Sequence, residues 1–257
     1  MTPDTETTDT LPNLFRLGLK AFIVDLDGVV THTAAVHATA WKDLFDAFLK
    51  QKAEAEGTEF VPFDLKTDYE TFVDGKPRYD GVRSFLASRG IVLPDGTPDD
   101  PADAPTVCGL GNQKNHRFNE VIERDGVTVF HTTVALIEAM RARGVKTAVV
   151  SSSKNCRPIL ERAGLMYLFE VMVDGIYSEQ NHLPGKPAPD TYVRAADLLG
   201  VPVGEAAIVE DAIVGVASGR AGDFGYVIGV DRGVGHQALL EGGADIVVND
   251  LGEFGLD

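Results

Sequence analysis

Ala21-Phe22-Ile23-Val24-Asp25-Leu26-Asp27-Gly28 is the stretch on which the reading of this chain turns. An apolar, β-prone run ends in an acid, and a second acid and a glycine follow at once. A run that is apolar throughout fits a strand covered on both faces, as in a parallel sheet flanked by helices. Similar runs recur at Thr147-Ala148-Val149-Val150-Ser151, Ala206-Ala207-Ile208-Val209-Glu210, Tyr226-Val227-Ile228-Gly229-Val230 and Asp245-Ile246-Val247-Val248. Helical patterns lie beside them. Val134, Ile137 and Met140 repeat at three-residue spacing before the second run, and Tyr192, Val193, Ala196 and Leu199 precede the third. The alternation predicts an α/β fold, a doubly wound parallel sheet whose ligands bind beyond the carboxyl ends of its strands.

The stretch 34–125 breaks this alternation. It opens on a helical pattern from about Ala34 to Leu49, carries Phe60-Val61-Pro62-Phe63, and contains Leu93-Pro94-Asp95-Gly96-Thr97-Pro98-Asp99-Asp100-Pro101, which reads as a surface loop. We therefore expect a small α-helical cap domain over 34–125, inserted after the first strand of a core built from 14–33 and 126–257. Residues 1–13 read as a polar, frayed tail.

Of the 257 residues, 23 are Lys or Arg and 39 are Asp or Glu, so the formal net charge is −16. That balance argues against a nucleic-acid backbone or an anionic membrane as the main partner, since both attract clustered positive charge. A hydrophobic fraction of 44% suffices for a sizeable core. Cys108 and Cys156 form no disulfide framework and lack zinc-ligand spacing, which fits a reducing compartment. No apolar run approaches the roughly 20 residues of a spanning helix, and the acidic start differs from a secretory signal. A cytoplasmic monomer is the expectation.

The polar residues gather at the expected strand ends. In strand geometry Asp25 and Asp27, two apart, project to one side and place two carboxylates in one pocket. An isolated pair of this kind would read as a cap or turn; the motifs that follow favour a site. Ser151 ends the second apolar run, and Ser152, Ser153, Lys154 and Asn155 lead into a helix start suited to an anion. A serine alone could be an N-cap, but Lys154 at that end opposes the helix dipole unless an anion accompanies it. Lys186 stands in Gly185-Lys186-Pro187-Ala188-Pro189-Asp190, a stiff connection that aims its side chain. Glu210 and Asp211 close the third run. Four converging carboxylates need compensating cations, and hard oxygen ligands beside phosphate-binding groups point to Mg²⁺ with Lys186 as a fixed charge.

In order and spacing, Asp25-Leu26-Asp27-Gly28-Val29-Val30-Thr31, Ser151, Lys186 and Glu210-Asp211 resemble the four motifs of the haloacid dehalogenase superfamily. The resemblance covers about 20–250 and is closest to its beta-phosphoglucomutase branch. Thr31 to Lys42, including Thr33, His37 and Trp41, is similar to that branch's passage from flap to cap. Gly75-Lys76-Pro77-Arg78 resembles its cap substrate loop, Lys114-Asn115 its cap pair, and Ser151 to Asn155 its phosphate-gripping core loop. His32, His131-Thr132 and the insertion at 93–113 depart from the branch. Read without the resemblance, His37 and Trp41 could simply pack the cap, and Arg78 and Lys114 could be exposed charges.

The resemblance implies Asp25 as nucleophile, Asp27 as general acid and base, and Mg²⁺ held by the Asp25 side chain, the Asp27 backbone carbonyl and Glu210/Asp211. Ser151 to Asn155, Lys186 and the cap residues Thr33, His37, Trp41, Gly75, Arg78, Lys114 and Asn115 would then hold a phosphorylated sugar. The implied activity is interconversion of beta-glucose 1-phosphate and glucose 6-phosphate. A sugar-phosphate phosphatase would share every core residue, and a silent binding module would have lost one.

Overall fold

The computed structural model describes residues 11–256. In chain order its strands are β1 (Ala21–Asp25), β2 (Lys146–Val150), β3 (Val171–Val173), β4 (Ala206–Glu210), β5 (Tyr226–Val230) and β6 (Ile246–Val248). They form one six-stranded sheet in the order β3-β2-β1-β4-β5-β6, with every pairing parallel. The helices are α1 (Thr33–Glu56), α2 (Arg78–Ser88), α3 (Val107–Asp125), α4 (His131–Ala142), α5 (Cys156–Ala163), α6 (Gly175–Gln180), α7 (Asp190–Leu199), α8 (Ile213–Ala221) and α9 (His236–Gly242). This is the doubly wound α/β core with helical companions that the apolar runs predict.

β1 lies at the centre, and its side chains alternate between two cores. Phe22 and Val24 pack with Leu136, Ile137 and Met140 of α4 and Ile159 and Leu160 of α5. Ala21 and Ile23 pack on the opposite face with Tyr192, Ala195 and Ala196 of α7 and Ile208 of β4. The two-residue period of a strand thus turns a continuous apolar run into two buried layers. β3 was not among the expected strands: three residues at a sheet edge leave too short a pattern to read.

Between β1 and β2, α1, α2 and α3 enclose a third cluster in which Trp41, Leu44 and Phe45 meet Val82, Phe85, Leu86, Val107 and Leu110. α1 runs to Glu56, past the expected end near Leu49, and stops where Gly57 adopts φ +66°. Ala40 of α1 and Phe118 and Ile122 of α3 pack into the α4/α5 side of the core, so the two long helices anchor the insert on the sheet. Within the expected 93–113 insertion, Val107 N–H donates to Pro94 O and Cys108 N–H to Asp95 O, tying the loop to the start of α3.

Of the expected tail, residues 1–10 lie outside the described residues. The last part is not frayed: Leu11 packs against the core, and the Asn13 side chain caps a 3₁₀ turn at Leu14–Arg16 by accepting from Phe15 N–H. Among the described residues no helix is long and apolar enough to cross a membrane. Cys108 and Cys156 are both buried free thiols.

Candidate active site

A cavity of about 360 Å³ opens between the carboxyl ends of the strands and the helical insert, lined from below by Asp25, Asp27, Glu210 and Asp211 and from above by His37, Trp41, Arg78 and Lys114. Its deepest part is an ionic cluster. Lys186 is 4% exposed and donates to Asp25 Oδ1 at 2.5 Å and to Glu210 Oε1. Burial opposes its charge, but Asp25 and Glu210 more than offset that and hold the ammonium well above the usual lysine range. Glu210 accepts on both oxygens: Tyr192 Oη donates to Oε1 at 2.8 Å, and the backbone N–H groups of Asp211 and Ala212 donate to Oε2. A buried carboxylate satisfied on every side is a rigid anchor for Lys186.

Asp25, Glu210 and Asp211 each turn one oxygen into a space less than 4.8 Å across, which could hold a metal ion. Burial is the largest influence raising Asp25 and Asp211 well above the usual carboxylate range, and neighbouring acids add to it. Acids forced together against this cost suit a hard divalent cation. Space is reserved at backbone level too. Gly28 has φ +84°, and a Cβ there would come within 1.8 Å of Asp211 Oδ2. A Cβ at Gly215 would come within 1.9 Å of Glu210 Cδ.

Asp25 and Asp27 line one cavity as expected, but not for the expected reason. β1 ends at Asp25, so the two-residue rule no longer governs its neighbour, and the two carboxylates line one cavity but take separate partners. Asp27 Oδ1 accepts from Thr33 Oγ1, and its Oδ2 faces Ser151 Oγ at 3.5 Å. His37 Nε2 faces Oδ1 at 3.4 Å without closing a hydrogen bond. Lys114 Nζ contacts His37 Nδ1 on the other side of that ring. Burial alone would raise Asp27, but His37, Thr33 and Lys114 outweigh it and keep the carboxyl below its ordinary value. Burial also lowers His37, with Lys114 assisting, and burial brings Lys114 down to about 7. A neutral His37 that accepts on Nδ1 presents Nε2–H to Asp27.

The far end of the cavity joins insert to core. Asn115 Oδ1 accepts from Arg78 Nη2 at 2.9 Å and from Asn155 Nδ2 at 2.8 Å. Ser152 Oγ donates to Gly75 O at 2.7 Å, and the Ser151 hydroxyl accepts from Ser153 N–H. Trp41 is buried against Phe45, and Lys114 Nζ stands 5.0 Å from its ring centroid, so packing and the site share this residue. Lys154 pairs with Glu179 at 2.8 Å. All seventeen expected residues therefore line the cavity or touch a residue that does.

Sequence reasoning missed Asp74, Tyr69, Tyr192 and Glu179. Asp74 faces the acidic cluster from the insert, and burial chiefly raises it to about 6. No motif announces Asp74, which follows a short helical turn of the insert, or Glu179, which stands near the end of the six-residue α6. Tyr192 reads as one more apolar helix position.

The model of the haloacid dehalogenase-like hydrolase family matches residues 19–223. The chain belongs to this family. A beta-phosphoglucomutase of Mycobacterium bovis is 52% identical over 239 residues, which cover 92% of this chain and 91% of that protein. A Mycobacterium tuberculosis protein described as an uncharacterized glycosyl hydrolase is 36% identical over 240 residues, 93% of this chain but 18% of its own length. Among solved structures of this haloacid dehalogenase-like fold, beta-phosphoglucomutase from Clostridium difficile covers 91% of this chain and 92% of its own, with TM-score 0.70 and 22% identity.

Proposed function

We propose that this chain is a phosphosugar mutase that interconverts beta-D-glucose 1-phosphate and glucose 6-phosphate through an aspartyl-phosphate and a sugar bisphosphate. One observation carries the reading: the cavity is lined by two polar groups of residues, the carboxylates of Asp25 and Asp27, with Lys186 bonded to Asp25, and a second group of Arg78, Lys154 and Asn155. A hydrolase needs the first group only. A mutase must hold one phosphate while the other reacts, then admit the turned bisphosphate. The beta-phosphoglucomutase name of the 52% identical relative supports the same choice.

In this reading Asp25 attacks the phosphoryl group and forms the aspartyl-phosphate. Lys186, fixed between Asp25 and Glu210, neutralises charge on the transferring oxygens, and Ser151 adds a hydroxyl donor. Asp27 gives its proton to the leaving hydroxyl and takes one from the attacking hydroxyl. His37, steadied by Lys114, keeps Asp27 oriented toward the sugar. Asp25, Glu210, Asp211 and the Asp27 backbone carbonyl would hold Mg²⁺. A divalent cation there supplies positive charge that keeps Asp25 ionised and offsets charge on the phosphoryl oxygens. Arg78, Asn115, Ser152, Ser153, Lys154 and Asn155 would grip the distal phosphate, and the insert lowered over the cavity excludes water from the aspartyl-phosphate.

The test is turnover of beta-glucose 1-phosphate with Mg²⁺ and a trace of glucose 1,6-bisphosphate, with glucose 6-phosphate and inorganic phosphate measured side by side. Glucose 6-phosphate should dominate. Dominant inorganic phosphate would make the chain a sugar-phosphate phosphatase instead.

A further inference from the structure

At the distal end of the cavity the chain carries its own anion. Lys154 Nζ donates to both carboxylate oxygens of Glu179, at 2.8 Å each. Glu179 lies near the end of α6 and lines the same cavity as Arg78 and Asn155. Its charge reaches the Arg78 guanidinium as well. Both cations stand over one aromatic ring, with Lys154 Nζ 5.6 Å and Arg78 Cζ 5.8 Å from the Tyr79 centroid. The lysine side chain is 29% exposed and the glutamate 54%, so solvent reaches the pair and an incoming group can break it.

Lys154 stands beside the N-terminus of α5, where a cation opposes the helix dipole unless an anion accompanies it. Glu179 supplies that anion from within the chain. We propose that Glu179 tunes the affinity of the distal end: its carboxylate is an internal competitor for the distal phosphate and holds Lys154 until a more highly charged group displaces it. This rests on the reading above, in which this end of the cavity takes the substrate's second phosphate. An exposed ion pair is weak, so a phosphate, with up to two charges and three strong acceptor oxygens, displaces the carboxylate. A neutral sugar hydroxyl gains too little on an already neutralised lysine to do so. The competition therefore weakens only those ligands that place a phosphate there and leaves a sugar without one untouched, so Glu179 sets how tightly the distal phosphate is held.

Glu179→Gln removes the charge and keeps the shape at a half-exposed position. Its KM for beta-glucose 1-phosphate and its dissociation constant for glucose 1,6-bisphosphate by calorimetry should fall about two- to fivefold, the range of an exposed ion pair. The affinity for unphosphorylated glucose should not improve as much. An unchanged KM overturns the competitor role, and a raised KM overturns it in favour of Glu179 orienting Lys154. Lys154→Gln separates this proposal from the reading beneath it. A raised KM there keeps the distal-phosphate reading whatever Glu179→Gln does, whereas an unchanged KM removes that reading. In the Lys154→Gln background the effect of Glu179→Gln should drop by at least half. An undiminished effect would mean a general field rather than competition for Lys154, and would overturn the proposal. Thermal unfolding of each variant checks that the fold survives.

Discussion

Asp25 and Asp27 stand two residues apart and meet opposite electrostatic surroundings. Burial pushes Asp25 up, while His37, Thr33 and Lys114 overcome burial and bring Asp27 down. Asp25→Asn should lower turnover by about 10⁴-fold or more, the scale seen when a nucleophile is removed; near-normal turnover would refute the nucleophile. His37→Ala should act through Asp27. A carboxyl held low is ionised above its folded pKa, so loss of His37 raises that pKa and moves the acid limb of the kcat/KM profile to higher pH. An unmoved limb would leave His37 a packing residue. Lys114 gives a stability signature. It titrates near 7 in the folded protein against 10.5 for an ordinary lysine. Between those values the unfolded chain binds the extra proton, so stability rises with pH across that window. Urea unfolding at pH 7, 8 and 9 should show the wild type gaining on Lys114→Met, and parallel curves would contradict the lowered ammonium. At this scale the motif acids and Ser151 were legible because they stand at or just past the ends of apolar runs, and Lys186 because it stands in a stiff Gly-Lys-Pro connection. Glu179 and Asp74 were not, because their roles depend on which segments face each other across the cavity.

Elements decide how closely these groups approach. The turn after β1 passes Asp211 so tightly that only glycine fits at 28, and α8 passes Glu210 just as closely at Gly215. Gly28→Ala combines a left-handed φ with a contact no side chain can relieve without moving Asp211. It should cost about 1–3 kcal/mol of stability, as overpacking does, and lower turnover further by displacing an acid of the cluster. Chemical denaturation and kcat measured together would check both, and a variant as stable and active as wild type would show that the close approach is dispensable. The sequence suggested a sharp turn or ligand contact at Gly28 but could not show that the neighbour is Asp211, which follows the end of another strand. Strand order explains the same limit elsewhere. β1, β2, β4, β5 and β6 announce themselves as apolar runs, yet β3 does not, and the pairing of β1 between β2 and β4 emerges only when both faces are filled.

The whole chain carries a formal charge of −16 and concentrates acids where the strands end. Asp25, Glu210 and Asp211 converge under an insert that brings Asp74 toward them, and Lys186 is the buried cation among them. Their mutual repulsion is a cost of the folded state that the unfolded chain escapes, because there the four acids separate into water. A divalent cation that binds only the folded protein removes part of that cost and stabilises by mass action. At a concentration 100 times its dissociation constant the gain is about 2.7 kcal/mol. For a chain of this size that is roughly 5–10 °C in Tm. Titration with Mg²⁺ in a thermal-shift assay should therefore raise Tm with concentration, and a chelator should reverse the rise and stop turnover. Asp211→Asn removes one oxygen ligand's charge and relieves repulsion, so it should raise the Tm of the metal-free protein while flattening its response to Mg²⁺. A rise in Tm that Asp211→Asn leaves intact would locate the cation elsewhere, and a Tm indifferent to Mg²⁺ in both proteins would mean that Lys186 alone compensates the cluster.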